Sequence, residues 1–578
     1  MGQDGRVTDL TPRALSDRYV DALIALDPVV ATELGVPDGA DRLPDLSPAG
    51  LAERAALRAA TLGDLETLEA TTDDDRRCAR LLRERLGAEQ AVHEAGEGLR
   101  SLGTLFSPVQ LVRLVFTMMP TGTDDDRAVI ARRVAAVPAA LTGYVATLAE
   151  GRRRGLPGGP AQVDAVIDQL GSWLGAGGGR GWYHEFTGAL TAGAAGNAGG
   201  SGALAADLER AADAADAALG ELRGWLVEQY APYVHEHGRD PVGRERYARS
   251  ARYWSGADLD LDEAYAWAWG EFARLDGELR AEADRVLPGA GVRAAMTHLD
   301  TDGPAIDGVD AVREYLQGLM SGAITGLDGV HFAFSDRLRR VESMIAPEGT
   351  AAAPYYTPPS LDFARPGRTW LPTLGQTRFP TWQLVSTWYH EGVPGHHLQM
   401  AQWVDRAAQL SRYQTTLGAV SANLEGWALY AERLMDELGF LADPGARLGY
   451  LDAQQMRAVR VIVDIGMHLE LEIPRQQGVP EAFHPGERWT PGLGREFFGR
   501  NSGRPADFVD SELVRYLGMP GQAIGYKLGE RAWLAGREAA RAAHAARGEA
   551  FDLKAWHLAA LSQGSLGLDD LVAEVSAL

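Results

Sequence analysis

The sequence predicts a mainly α fold, arranged as two helical lobes around a deep cleft with a few short strands. Apolar residues recur at spacings of three and four in long stretches rich in Ala, Leu, Glu and Arg, which is the pattern of amphipathic helices. These stretches are residues 50–98, 128–152, 204–230 and 259–286. The alternation typical of strands is scarce, and residues 330–334 and 353–356 are the best short candidates.

Two turn-rich stretches interrupt the helical pattern. Residues 171–202 are rich in glycine and end in the run Gly199-Gly200-Ser201-Gly202. This stretch is either a loop that moves over the cleft or an inert surface insertion. Residues 288–310 are rich in Pro, Gly and Asp and mark a boundary. We therefore expect a helical N-terminal lobe over residues 1–290 and a second helical lobe over residues 291–578 that carries the candidate chemistry.

Composition excludes several classes of protein and site. The chain has 578 residues, enough for three or four domains or for one large helical body with two lobes. Its net charge of −23 argues against nucleic-acid binding, which needs a basic surface. Cys78 is the only cysteine, so a disulfide within the chain and a cysteine-rich zinc site are excluded. The heavy use of Ala, Gly and Arg is typical of a GC-rich bacterial genome.

The N-terminal sequence bears on where the protein resides. Its first 30 residues are polar and lack the apolar core of a signal peptide. No stretch of the chain approaches 18 uninterrupted apolar residues. We therefore expect a cytoplasmic protein that does not bind a membrane.

The densest chemical signal is the run WYHEGVPGHHLQ at residues 388–399. His390, His396 and His397 lie within eight residues, in a chain that has only 13 histidines, and Glu391 follows the first of them. Neutral imidazoles are common zinc ligands, and a neighbouring glutamate can act as a general base. The other His-Glu pairs, at residues 93–94, 184–185 and 235–236, have no comparable cluster around them. The run therefore predicts a zinc site with altered ligand spacing.

The spacing decides which histidine joins His390. The usual helical motif places two histidines four residues apart on one face, but residue 394 is a proline. On a regular helix His396 would be rotated about 600° from His390, and His397 would lie about 10 Å along the axis. Pro394 clashes with the carbonyl of residue 390 and Gly395 adds backbone freedom, so we expect a bulge of two extra residues. This favours His396 as the second ligand, with His397 in reserve.

A third protein ligand is needed to leave one coordination position open for water. Glu425 is the best candidate, because it begins an amphipathic helical stretch 29 residues after His396. Glu432 follows seven residues later on the same face and can orient a ligand histidine. The alternative is that both glutamates are solvated surface acids.

These motifs resemble those of a known family. The patterns Y-H-E-x-x-P-G-H-H-x-Q, from Tyr389, and E-G-W-A-x-Y-A-E, from Glu425, are similar to those of the bacterial family of unknown function numbered 885. Further similarity lies in residues 355–367, 463–468 and 512–527. That family resembles zinc metallopeptidases of the thermostable carboxypeptidase, oligopeptidase and angiotensin-converting-enzyme kind. The resemblance implies a gluzincin-like architecture and a Zn²⁺ cofactor.

Several other residues are candidates for supporting roles. Tyr526 and Arg515 are candidates to stabilise an oxyanion, as a tyrosine does in the related peptidases, although Tyr526 can equally be a core residue. His468 is either a further oxyanion donor, a partner of a metal ligand, or a satisfied buried histidine. Asp464 lies four residues before His468, so the two can pair on one helix face.

The expected activity follows from these assignments. We expect a zinc-dependent hydrolase in which Glu391 activates water to cleave a peptide or a small amide. Arg365 and Lys527 are candidates to hold a carboxylate of the substrate. Two alternatives remain open at this point: a metal-dependent tailoring hydrolase of a small non-peptide amide in biosynthesis, and a non-catalytic binding protein on the same fold.

Overall fold

The computed structural model describes residues 10–194, 202–347 and 353–578. Helices account for 65% of the chain and strands for 4%, so the predicted mainly α fold is confirmed. Each of the four stretches with helical periodicity lies mainly in helices. The glycine-rich stretch contains a helix, Trp182–Ala194, whereas the run Gly199-Gly200-Ser201 lies outside the described residues.

The described chain divides into two compact units. Unit 1 comprises the described residues of 1–69, 86–242 and 514–519, and unit 2 comprises 70–85 and the described residues of 243–513 and 520–578. The change of unit after residue 242 differs from the boundary expected at residue 290. The reason is that the helix Leu261–Val286 packs within unit 2, where the rings of Trp269 and Phe272 lie 5.3 and 5.2 Å from that of Phe497.

Unit 1 is helical, and most of its helices begin at polar caps or at proline, as local sequence requires. Thr11, for example, accepts a hydrogen bond from the N–H of Ala14, and Thr123 forms a capping box with Asp126. The helices are α1 (Pro12–Leu26), α2 (Pro28–Glu33), α3 (Pro48–Glu66), α4 (Asp73–Glu94, which crosses into unit 2), α5 (Pro108–Leu114), α6 (Asp124–Ala135), α7 (Val137–Arg153), α8 (Pro160–Trp173), α9 (Trp182–Ala194), α10 (Gly202–Trp225) and α11 (Ala231–His237), with 3₁₀ turns at Glu97–Arg100 and Val115–Met118 and a π turn at Leu226–Tyr230.

One helical span of the described chain, Asp124–Arg153, is long and apolar enough to cross a membrane by length and composition. Val134 and Leu148 of this span are buried in the core of unit 1. Arg133 is buried as well, and its guanidinium donates a 2.8 Å hydrogen bond to the carbonyl of Pro28. The span is therefore used as core helices α6 and α7.

Unit 2 is built around one buried helix. Its helices are α12 (Arg244–Ser255), α13 (Leu261–Val286), α14 (Val292–Thr301), α15 (Val309–Leu327), α16 (Leu384–Glu391), α17 (His396–Asp405), α18 (Arg412–Thr415), α19 (Ser421–Glu437), α20 (Pro444–Leu469), α21 (Pro491–Arg500), α22 (Ala506–Gly518, whose end lies in unit 1), α23 (Gly525–Ala546), α24 (Leu553–Leu561) and α25 (Leu568–Ser576). Helix α20 begins at Pro444 with Asp443 as its cap, and it is buried along nearly its whole length. A helix that is buried on all sides forms the centre of a domain.

The strands are short and lie in unit 2. They are β1 (Ala305–Asp307), β2 (Val341–Ile345), β3 (Tyr355–Thr357), β4 (Gly367–Leu371) and β5 (Arg378–Pro380). β1 pairs with β5 in antiparallel fashion, with Ile306 opposite Phe379. In the second sheet, β4 lies between β2, which is parallel to it, and β3, which is antiparallel.

One of the two predicted strands is wrong. Residues 353–356 overlap β3, whereas residues 330–334 form a turn after α15. Gly329 has a positive φ of 74° and its N–H donates to the carbonyl of Phe332, while Asp328 accepts from the N–H of Phe334. These local bonds satisfy the backbone of the segment without a neighbouring strand.

Helices α19 and α23 approach so closely that their backbones touch. A Cβ atom on Gly426 would lie 2.3 Å from the backbone carbon of Gly529, and one on Gly529 would lie 2.0 Å from the carbonyl oxygen of Ala422. Only glycine fits at such a crossing. Since α19 carries Glu425 and Glu432, this contact fixes the position of both candidate site residues.

The glycine contact yields a stability prediction. Gly529→Ala should lower the free energy of unfolding by about 1–3 kcal/mol, because the added methyl group overpacks the crossing. Gly270→Ala is the matched control: it lies within α13 with open space around its Cβ position, so it should stabilise by about 0.5–1 kcal/mol. Denaturation midpoints measure both effects, and a Gly529→Ala protein as stable as the parent would contradict the close contact.

Candidate metal centre

The helix that carries His390 stops immediately after it. α16 ends at Glu391, and α17 begins at His396 after a break of four residues. Within the break the N–H of Gly395 donates to the carbonyl of Tyr389 at 3.0 Å. This bond spans six residues where an α-helix spans four. The backbone therefore accommodates two extra residues, the number that the sequence predicts.

Packing from α19 holds the break in place. The indole N–H of Trp427 donates to the carbonyls of Pro394 and Gly395, at 2.9 and 3.2 Å. Trp427 is fully buried, so these bonds are shielded from water. A Cβ atom on Gly395 would lie 1.9 Å from the carbonyl oxygen of His390, so only glycine allows the chain to turn back here.

The break brings His390, His396 and Glu425 to one point. The Nε2 atom of His390 lies 3.3 Å from Oε2 of Glu425, and that of His396 lies 3.5 Å from the same oxygen. One ligand atom from each residue lies within 4.8 Å of the other two. Two ligands at about 2.1 Å from a tetrahedral zinc ion lie about 3.4 Å apart. The spacing and the N, N, O donor set therefore fit a zinc ion.

Glu432 orients the first histidine. Its Oε1 atom lies 2.8 Å from Nδ1 of His390, which leaves the Nε2 atom of that ring directed at Glu425. The hydroxyl of Ser386 donates to the other oxygen of Glu432, and Arg457 lies 3.7 Å from Oε1. Glu432 thus lies where the sequence places a carboxylate partner of a ligand histidine.

Burial and neighbouring charges shift the titration of the site. Burial alone would lower the pKa of His390, but the adjacent carboxylates of Glu425 and Glu432 outweigh burial and raise the pKa to about 9. Burial also raises the pKa of Glu425, yet the two histidines hold it well below its usual value. The pKa of Glu391 is raised, because burial outweighs the attraction of His390 and His396. Without a metal ion, protons compete for this site.

His397 belongs to a different set of contacts. Its Nε2 atom lies 2.8 Å from the carbonyl oxygen of Leu338, and its Nδ1 atom lies 2.9 Å from the hydroxyl of Tyr356. Since a carbonyl only accepts, Nε2 carries the proton and the tyrosine hydroxyl donates to Nδ1. Burial lowers the pKa of His397 to about 4, so the ring is neutral. Both nitrogens are used, and the structure places His396, not His397, with His390 and Glu425.

The three residues line a cavity of about 540 Å³ in unit 2. Glu391 and Tyr526 line the same cavity. The predicted base and the predicted oxyanion donor are therefore together with the candidate ligands. Their catalytic roles stay predictions.

The structure does not bring His468 and Asp464 to this cavity. Both are fully buried, and Asp464 accepts hydrogen bonds from the hydroxyl of Tyr247 and the N–H of Gly521. His468 Nε2 lies 3.6 Å from Asp464, in the expected pair one turn apart on α20. The pair belongs to the core packing around α20, so the oxyanion role expected of His468 has no support in this position.

The remaining three candidates also lie outside the cavity. Arg515 lies in the short part of α22 that belongs to unit 1, where it stacks over Tyr516. Arg365 is half-buried and does not line the cavity. Lys527 is fully buried, with Nζ 2.9 Å from Glu271. An internal ion pair occupies its ammonium group, so this position gives no support to the prediction that Lys527 holds a substrate.

Sequence reasoning missed three arginines of the cavity. Arg457 and Arg460 lie one turn apart on α20, and Arg504 lies between α21 and α22. The only local signal was the i, i+3 spacing of the two arginines immediately before the apolar run Val461-Ile462-Val463. Arg504 comes from a segment with no motif, and only the tertiary fold brings it to the cavity.

Comparison with known proteins identifies the family. The family described as "Bacterial protein of unknown function (DUF885)" matches residues 28–575. The chain belongs to the DUF885 family. This DUF885 chain matches no protein of curated function.

Two solved structures share the fold of this DUF885 chain. A "putative lipoprotein" from Colwellia psychrerythraea aligns with a TM-score of 0.78 and 21% identity, covering 98% of this chain and 99% of that one. A "putative lipoprotein of unknown function" from Shewanella oneidensis aligns with a TM-score of 0.74 and 18% identity, with the same coverage. Lipoproteins are anchored to membranes, so the predicted cytoplasmic location is wrong. That prediction rested on a polar N-terminus, which does not determine where a protein resides.

The contact between Glu432 and His390 yields a binding prediction. Glu432→Gln removes the charge that orients His390, so zinc affinity should fall by about 10–100-fold. Glu437→Gln, at the exposed end of the same helix, is the control and should leave the affinity unchanged. Competition with a zinc chelator measures both. Equal affinities for the two variants would show that Glu432 has no part in metal binding.

Proposed function

We propose that this protein is a zinc-dependent hydrolase that cleaves a peptide bond or a small amide bond. The observation that carries the proposal is the convergence of His390, His396 and Glu425 beside Glu391 in one cavity. Oε2 of Glu425 is buried without a conventional hydrogen-bond donor among the described residues, which suits an atom that binds a cation. The gluzincin-like architecture implied by the sequence motifs is part of the same proposal.

Each group of the cavity has a defined task in this reaction. His390, His396 and Glu425 would hold the ion, which when bound supplies Lewis acidity to the carbonyl and lowers the pKa of water. The carboxylate of Glu391 takes a proton from the attacking water and returns it to the leaving amine nitrogen. The hydroxyl of Tyr526 donates a hydrogen bond to the oxygen that gains negative charge.

The environment of Glu391 suits this exchange of a proton. Burial raises its pKa, which brings the carboxyl group closer to the pH at which it both accepts and donates a proton. The cavity also excludes bulk water from most of the side chain, since Glu391 is 9% exposed.

The first test of the proposed function concerns metal content. The purified protein should contain one zinc ion per chain, and His396→Ala should lose it, because three protein ligands are the minimum for a catalytic zinc site. His397→Gln should keep it, because His397 contacts Leu338 and Tyr356 instead. Elemental analysis measures zinc, and a melting curve checks that both variants are folded. Loss of zinc from His397→Gln with retention by His396→Ala would reverse the ligand assignment.

The second test concerns the base. Glu391→Gln should retain zinc, since Glu391 is outside the ligand set, while turnover of a cleaved peptide falls by about 10²–10⁴-fold. A peptide library analysed by mass spectrometry identifies a substrate for the assay. If the variant loses its zinc, Glu391 is itself a ligand and the mechanism fails.

A further inference from the structure

The cavity holds more positive charge than the proposed chemistry uses. Arg457, Arg460 and Arg504 all line it. The acids that line it are Glu391 and Glu425, which the proposed function assigns to proton transfer and to metal binding. The arginines therefore need another explanation.

Arg460 is accounted for by its neighbours. Its guanidinium donates a 2.7 Å hydrogen bond to Glu512 and lies over the ring of Tyr526, 4.7 Å from the centroid. These contacts neutralise Arg460 and hold the ring of Tyr526 in place. Arg460 is best regarded as a support for that tyrosine.

Arg457 and Arg504 have much weaker partners. The nearest acids among the described residues are Glu432, 3.7 Å from Arg457, and Asp452, 3.8 Å from Arg504, both beyond the usual range of about 2.7–3.2 Å for a hydrogen bond. Arg504 also donates a long hydrogen bond of 3.3 Å to the neutral amide oxygen of Gln383. The Nε–H group of each arginine is buried without a hydrogen-bond partner among the described residues. Buried N–H groups in that state cost free energy, which an incoming acceptor would recover.

The acids beside the two arginines are poor counter-ions. Glu432 shares its charge with His390 and Ser386. Burial raises the pKa of Asp452, although Arg504 opposes this effect. Burial also lowers the pKa of Arg504, and the like charges of Arg457 and Arg460 add to this effect. An anion in the cavity would relieve the repulsion among the three guanidinium groups.

We propose that Arg457 and Arg504 form a subsite for a carboxylate of the substrate, next to the metal centre. Guanidinium groups bind carboxylates through paired N–H donors, and two of them in one cavity select for that group. The inference rests on the proposed function for the reaction and narrows its substrates to acidic peptides or amides. It moves the role expected of Arg365 and Lys527 to residues that line the cavity.

The test is a binding measurement in which nothing is cleaved. Glu391→Gln protein is titrated by calorimetry with N-acetyl-alanyl-alanine, with its C-terminal amide, and with N-acetyl-alanyl-aspartyl-amide. The free acid should bind about 10–100-fold more tightly than the neutral amide, the usual range for charged hydrogen bonds. If only the aspartyl peptide binds tightly, the subsite recognises a side-chain carboxylate. If only the free acid binds tightly, the subsite recognises a C-terminal carboxylate.

Substitutions identify the binding groups. When Arg504→Gln or Arg457→Gln is added to the same protein, the dissociation constants of the acid and the amide should differ by no more than about threefold. This change corresponds to the loss of about one charged hydrogen-bonded pair. Arg495→Gln removes an exposed arginine outside the cavity and should keep the preference. If Arg504→Gln does not fold, Arg504→Lys replaces it, because lysine keeps the charge but loses the paired donors.

The outcomes separate this inference from the proposed function. Three outcomes would overturn the subsite. They are equal affinity for the acids and the amide, no binding of any of the three peptides, and a preference for the acid that remains in both arginine variants. In the last case the carboxylate binds elsewhere, for example on the metal ion. If the parent protein cleaves peptides but shows no preference for the acid, the proposed hydrolase function is supported and the carboxylate subsite is refuted. An arginine-dependent preference without any cleavage would support the subsite and refute the hydrolase.

Discussion

The site depends on one backbone constraint, the break between α16 and α17. A continuous helix would direct His390 and His396 to different sides, and the two extra residues return them to the same side. The break is stable because the indole of Trp427 donates to two of its carbonyl groups. Each such bond contributes about 0.5–1.5 kcal/mol and prevents an unsatisfied buried carbonyl. Trp427 lies between Glu425 and Glu432 on α19, so one helix both holds the break and supplies the two carboxylates.

What the sequence predicts well is local. Pro394 and Gly395 exclude a regular helix by their own geometry, so the shift of the second histidine to His396 follows from the seven consecutive residues 390–396. The heptad spacing of Glu425 and Glu432 places both on one face of α19 in the same way. The predominance of helix is local as well, because it follows from periodicity.

What the sequence predicts poorly depends on distant packing. Lys527 was expected to face a substrate, but Glu271 of α13 neutralises it in the interior. His468 is a residue type that is common in active sites, yet it packs in the core beside Tyr247. Arg504 reaches the cavity from a segment without any motif. The sequence alone does not show whether a charged residue contacts a substrate or a buried partner. Only the fold distinguishes the two cases.

The glycine contact between α19 and α23 has a consequence for how the protein behaves in a cell. In small zinc domains the metal ion supplies the folding energy, so its loss unfolds the chain. Here Glu425 and Glu432 are positioned by backbone packing at Gly426 and Gly529, which needs no ion. If the proposed zinc site operates, metal starvation would leave molecules that are folded but inactive, and the amount of protein would no longer indicate its activity. Under the same proposal, resupply of zinc would restore activity without new protein synthesis.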